Sequence, residues 1–241
     1  MQKFTERTRQ LFVVLPSKIP KCFPIVISRK RGAFCRIGSK PVTLRPGPEA
    51  VLDLLSARSG HFRFESGHHG ELWLELDTLF WSPTALEAPA ARLADELRRY
   101  DVDVVCGPLV GGALLAQLVA ARLGAALCIA ERTSAGDGGL YSARYGIPVA
   151  LANRLAGTRA AVVDDVVNAG SAVRATLAAL SAAGAEPVAL GALLALGATP
   201  AGVARDAGLP LEAVACLDNQ LWEPSACPLC AAGVPIEGPS A

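Results

Sequence analysis

Asp164 and Asp165 stand side by side after the apolar run Ala161-Val162-Val163 and are followed, two residues on, by Asn168-Ala169-Gly170-Ser171-Ala172. A buried strand ending in two carboxylates puts them where open α/β sheets bind ligands, outside the carboxyl ends of the strands. The small residues then open a helical pattern at Ser171. Their backbone N–H groups lie at a helix N-terminus, where donors and macrodipole both attract a phosphate. Ala169 and Gly170 leave room for close approach to the backbone. The paired acids repel a phosphate and suit instead a neutral diol, free or metal-linked. A phosphate beside a diol is a ribose 5-phosphate.

The elements that must position this segment follow from composition and periodicity. The chain of 241 residues is 51% hydrophobic and 19% charged, which is enough to bury a core and excludes global disorder. Aromatics are only 5%, and Ala, Leu, Val and Gly carry the apolar fraction. Strands are expected at Val102 to Cys106, Ala125 to Ala130, Ala160 to Val163, Val188 to Leu196 and Ala213 to Leu217. Helices are expected at Gly111 to Leu123, stopped by Gly124, and at Ser171 to Ala183, stopped by Gly184. This alternation predicts an α/β fold, a parallel sheet flanked by helices. Before it come a short helix over Glu49 to Arg58, a hairpin over 61–81 and a helix over Ser82 to Tyr100 capped by Ser82.

Charge divides the chain. Its first 40 residues hold all five lysines and a net charge of +9, and the remaining 201 a net of −8. An acidic folded part argues against a phosphate-backbone-binding domain, so no nucleic-acid partner is expected. Residues 1–45, rich in Pro and without helical or strand period, read as a basic, disordered extension; a basic arm for nucleic acid or an organelle address is the functional alternative. No apolar run is long enough for a membrane span or a signal peptide. Seven scattered cysteines fit reduced thiols, and a cytoplasmic location is expected.

The segment Asp164-Asp165-Val166-Val167-Asn168-Ala169-Gly170-Ser171-Ala172-Val173-Arg174 resembles the phosphoribosyl diphosphate (PRPP) signature of type I phosphoribosyltransferases, closest in wording to the orotate phosphoribosyltransferases. Three other stretches support it. Val104 to Gly112 resembles the family's diphosphate loop, Ser59 to His69 its N-terminal hood over the base, and Cys227 to Pro235 the tail of some bacterial members. The resemblance spans about residues 48–237, and it implies one domain over 46–241, with a hood over about 46–81, a core over about 82–220 and a C-terminal tail over 221–241. It implies a transferase that uses PRPP with magnesium carried on the diphosphate, making orotidine monophosphate from orotate, and working as a homodimer. By it, Asp164 and Asp165 hold the ribose hydroxyls, and Asn168, Ala169, Gly170, Ser171 and Ala172 the 5-phosphate. Leu109, Val110 and Gly111 hold the diphosphate, Arg132 assists it, and Phe62 and Asn168 meet the base.

Departures from the family pattern keep two other functions open: a PRPP-binding regulator without turnover, and a transferase for a different base. The loop over 131–145, basic in orotate enzymes and shared across their dimer, has no lysine or histidine here. Glu65 replaces a hood lysine, Leu196 falls where an arginine grips the orotate carboxylate, and Asn168 replaces a threonine. Turn histidines His61, His68 and His69 remain as donors for a carboxylate. Cys227 and Cys230 have the spacing of half a zinc site, but no second CxxC or neighbouring histidine completes it in sequence; free thiols and no metal site are expected. Arg174 is read either as an aid to the phosphate or as half of a surface salt bridge.

Overall fold

The computed structural model describes residues 34–37, 40–43, 51, 54–134 and 144–237. Most of the basic extension, and loop residues 135–143, lie outside the described residues. Two short strands, β1 (Phe34–Ile37) and β2 (Lys40–Thr43), pair antiparallel within the segment read as lacking strand period.

The hood is an antiparallel hairpin of β3 (Ser56–Arg63) and β4 (His69–Glu75). The helix expected over Glu49 to Arg58 therefore cannot extend to Arg58. Val51, Leu54 and Leu55 do pack on the core as their spacing suggests. From Ser56 the chain pairs instead with Glu75, and Arg58 bonds Glu75 across the ladder at 3.1 Å. Cross-strand contacts outweigh a weak local helical preference here.

Helix α1 (Pro83–Leu97) buries Leu86, Leu93 and Leu97 on one stripe. Ser82 stands at its N-cap position but its side chain does not cap; Ser82 Oγ bonds Thr84 Oγ1 at 3.2 Å. Pro83 at the first helical position has no N–H to satisfy, which lightens the need for a cap.

The core follows the expected alternation through β5 (Val104–Pro108), α2 (Gly111–Leu123), β6 (Ala126–Ser134), then β8 (Arg159–Val167), α4 (Ser171–Ala182), β9 (Glu186–Leu196) and β10 (Leu211–Leu217). It adds three elements not expected from sequence, β7 (Arg144–Gly146) and α3 (Val149–Leu155) between β6 and β8, and α5 (Thr199–Asp206) between β9 and β10. The sheet order is β10-β9-β8-β5-β6-β7, parallel except for β7 against β6. Alternate residues of the strands go to opposite faces. Val105, Ala161 and Val163 pack with α1 and α2, while Val104, Cys106 and Val162 pack with α3, α4 and α5. Burial on both faces explains why these strands read as unbroken apolar runs. The tail carries a short helix, α6 (Pro228–Ala231), and no helix of the described residues is long and apolar enough to cross a membrane.

Candidate active site

The sheet order reverses beside β5, whose sequence successor β6 lies on one side and β8 on the other. Such a switch point opens a crevice at the carboxyl ends of the two strands. Here β5 pairs with β8 only as far as Cys106↔Val162, whereas β8 stays paired with β9 through Val167↔Ala195. The acids thus lie within β8 rather than after its end, as the sequence suggested. They occupy the stretch where the strand has lost its β5 neighbour. Both are 8% exposed.

The turn after β5 packs directly on this pair. Leu109 and Val110 are exposed and joined by a cis peptide, and Leu109 N–H donates to Ala130 O at 2.9 Å. A Cβ at Gly111 would overlap the Asp165 carboxylate, and one at Gly112 would lie 2.6 Å from Asp164 Oδ1. Glycine is required at both for the turn and the acids to meet. On the other side, Gly170 begins α4 with φ of 76°, and a Cβ there would press on Val203 at 2.6 Å.

Hood and core enclose a cleft of about 330 Å³, walled by Phe64 and Trp73 on one side and by Asp164, Asn168 and the Ala169 to Ala172 loop on the other. Two buried donors facing no partner belong to residues of this wall, Ser171 Oγ and Trp73 Nε1. Buried polar groups left unpaired cost about 1–3 kcal/mol each, so a ligand that bonds them gains that back. Asn168 Oδ1 accepts from Asn219 Nδ2 at 2.9 Å, which fixes the amide at the cleft edge.

Electrostatically the cleft is acidic. Burial, then the Asp165 charge, pushes the Asp164 carboxyl well above the ordinary carboxylate range, and burial likewise raises Asp165. Backbone N–H groups of Asp165 and Val166 donate to the two carboxylates at 3.1 and 2.9 Å and offset part of that cost. Tyr145, on β7 at the end of the 131–145 stretch, is raised to about 12 by burial and by Glu65, Asp164 and Asp165, so its hydroxyl stays protonated. A raised carboxyl pKa penalises the folded state once the group must ionise. The penalty is absent below pH 3.8, where both states are protonated, and complete above the raised value. The Asp164→Asn, Asp165→Asn variant is therefore expected to gain stability over the wild type as pH rises from 4 to 7, in urea unfolding followed at several pH values; a difference independent of pH would remove this account.

Several candidate residues fall elsewhere than the sequence placed them. Phe62 is fully buried behind Trp73, ring centroids 5.5 Å apart, and does not line the cleft; Phe64, stacked on Trp73 with an interplanar angle of 6°, takes that position. Arg132 pairs at 2.9 Å with Glu65, the reversed hood charge, and both are about half exposed. Leu196 is buried and forms part of the cleft floor. Arg174 reaches Asp206 at 3.5 Å, in line with the salt-bridge alternative. His68 bonds Ser66, while His61 and His69 meet Cys227 and Cys230 rather than the cleft. The free-thiol expectation rested on a separation of some 160 residues in sequence, and the fold closes it. Backbone bridges His69↔Trp222 and Phe62↔Glu237 lay the tail along the hood.

The phosphoribosyl transferase domain family matches residues 83–224. Orotate phosphoribosyltransferases of Thermotoga petrophila and Caldanaerobacter subterraneus subsp. tengcongensis are 36% and 30% identical to the chain, over 75% and 79% of it and over 89% and 96% of their own lengths. Among solved structures, an adenine phosphoribosyltransferase from Thermoanaerobacter pseudethanolicus superposes with a TM-score of 0.57 at 17% identity, covering 71% of this chain and all of that one. The orotate phosphoribosyltransferase of Aeropyrum pernix gives 0.52 at 21%, covering 70% and 93%. The chain belongs to the phosphoribosyltransferase family, a family of glycosyl-transferring enzymes, and has its type I fold.

Proposed function

We propose that this protein transfers the phosphoribosyl group of PRPP to orotate, giving orotidine 5′-monophosphate and diphosphate. The observation that carries the reading is the convergence of three parts on one crevice: the buried acid pair, the Asn168 to Ala172 loop at the α4 N-terminus, and the glycine turn after β5. In this reading Asp164 and Asp165 accept hydrogen bonds from the ribose 2- and 3-hydroxyls, and the α4 N-terminus with Ser171 Oγ holds the 5-phosphate. The turn Leu109 to Gly111 takes the diphosphate. Magnesium enters with PRPP as part of the substrate and neutralises charge on the leaving diphosphate; the crowded acid pair suits a nearby cation.

The step is displacement at the anomeric carbon. The C–O bond to diphosphate breaks with its electron pair on diphosphate, and a ring nitrogen of the base forms the new C–N bond as its proton passes to the departing diphosphate or to water. Positive charge builds on the ribose ring between these events, and the negative charge of the acid pair, favoured by the cation that enters with PRPP, stabilises it. Arg132 serves the departing diphosphate after exchanging its Glu65 partner. That exchange is cheap, since a half-exposed ion pair contributes about 0–1 kcal/mol.

One observation favours a second reading, an uncharged base as acceptor. A buried carboxylate needs a cation or several donors, and among the described residues the charged side chains lining the cleft are all acidic, with Leu196 on its floor. Diphosphate release from PRPP against a panel of orotate, uracil, adenine and other bases separates the readings. The primary reading expects orotate to give the highest kcat/KM. Release with another base alone selects the second reading, and release with none rejects both.

A further inference from the structure

His61 on β3, His69 on β4, Cys227 at the N-cap of α6 and Cys230 within that helix bring four ligand atoms within 4.8 Å of one another. The pairs are close: His61 Nε2 to His69 Nδ1 3.0 Å, Cys227 Sγ to His61 Nε2 3.5 Å, Cys230 Sγ to His61 Nε2 3.6 Å and Cys230 Sγ to His69 Nδ1 3.2 Å. Ligand atoms on a tetrahedral zinc, with Zn–N of about 2.0 Å and Zn–S of about 2.3 Å, stand roughly 3.3–3.8 Å apart.

Proton counting separates a metal site from a hydrogen-bonded cluster. His61 Nδ1 lies 2.7 Å from Val234 O. A carbonyl only accepts, so the ring proton is on Nδ1 and Nε2 of the neutral imidazole carries a lone pair. Three groups crowd that one lone pair, and it can accept a single hydrogen. A cation at the centre satisfies all four donors together. The Nδ1–H to carbonyl bond is the outer partner that commonly fixes a metal-bound histidine.

We propose that His61, His69, Cys227 and Cys230 bind one zinc ion that fastens the C-terminal tail to the hood hairpin. Two imidazoles and two thiolates are a zinc donor set, and four protein ligands leave no open position, so the site is structural. Cys230 is exposed and gives the ion a route in, while the other three ligands are buried. From His69 the same strand continues into Leu72, Trp73 and Leu74 of the cleft wall, so the ion sets the pose of the hood over the substrate. The inference does not depend on which base is used.

The test is metal content and cobalt spectroscopy on the full chain under reducing conditions. After incubation with Zn²⁺ and desalting, one zinc per chain is expected by elemental analysis. Co²⁺ in its place should give thiolate charge-transfer absorption and the strong visible bands of tetrahedral cobalt. Cys230→Ala should lose the stoichiometric metal, and Cys216→Ala, outside the cluster, should keep it. Should Cys230→Ala fail to fold, His69→Cys decides, because it retains four ligands and should keep zinc while adding thiolate absorption with cobalt. A folded wild type that holds no zinc through desalting, an octahedral cobalt spectrum, or full zinc retention in Cys230→Ala would each overturn the proposal.

Discussion

Asparagine at both Asp164 and Asp165 is expected to lower PRPP affinity by two to four orders of magnitude while leaving the chain folded. Two charge-assisted hydrogen bonds to the ribose hydroxyls are lost, each contributing about 1.5–3 kcal/mol. The fold should survive because the amide oxygens can still accept from the Asp165 and Val166 N–H groups. Relief of a buried like-charge pair should even raise the melting temperature at neutral pH. Calorimetric titration with PRPP and a thermal melt check both halves. Unchanged affinity would remove the acid pair from the site, and a collapsed fold would make it structural.

Gly111→Ala is expected to cost about a hundredfold in kcat/KM through geometry alone. The added methyl falls on the Asp165 carboxylate, so either the acid or the turn after β5 must move. Displacements near 1 Å in a positioning site cost on the order of 10²-fold. The stability loss should stay within about 1–3 kcal/mol, the usual range for overpacking. Gly112→Ala, whose methyl meets Asp164 and Pro108 instead, should behave similarly. Wild-type kinetics in Gly111→Ala would mean that the turn and the acids need not be in contact for catalysis.

Local continuity decided what could be read from the sequence. The β8–loop–α4 segment is contiguous, its acids and small residues fall within eleven positions, and the structure brings Asp164 and the Asn168 to Ala172 loop to the cleft, with Asp165 against Gly111 of the turn after β5 and the boundaries of α2 and α4 nearly as expected. The acids' place inside β8 was hidden because strand ends depend on where the neighbour strand diverges, here at Cys106↔Val162. Phe62 and Phe64 have the same alternation, so period alone could not tell the buried ring from the cleft ring; Trp73 between them decides. Helix α5 was not expected because its eight residues, Thr199–Asp206, are too few to show a helical period after the β9 run. The His61, His69, Cys227 and Cys230 cluster was beyond a linear reading for a different reason. Its halves come from the two ends of the domain, and only the hood–tail bridges join them.

The claim that one cleft holds PRPP through the acid pair and the Asn168 to Ala172 loop is tested most directly by calorimetric titration of the wild-type chain with PRPP and magnesium at neutral pH, repeated in the presence of ribose 5-phosphate. One PRPP per chain is expected, with apparent affinity falling as ribose 5-phosphate rises, because both ligands present the same phosphate and diol. A folded chain that takes up no PRPP, or takes it up equally well in excess ribose 5-phosphate, would contradict it.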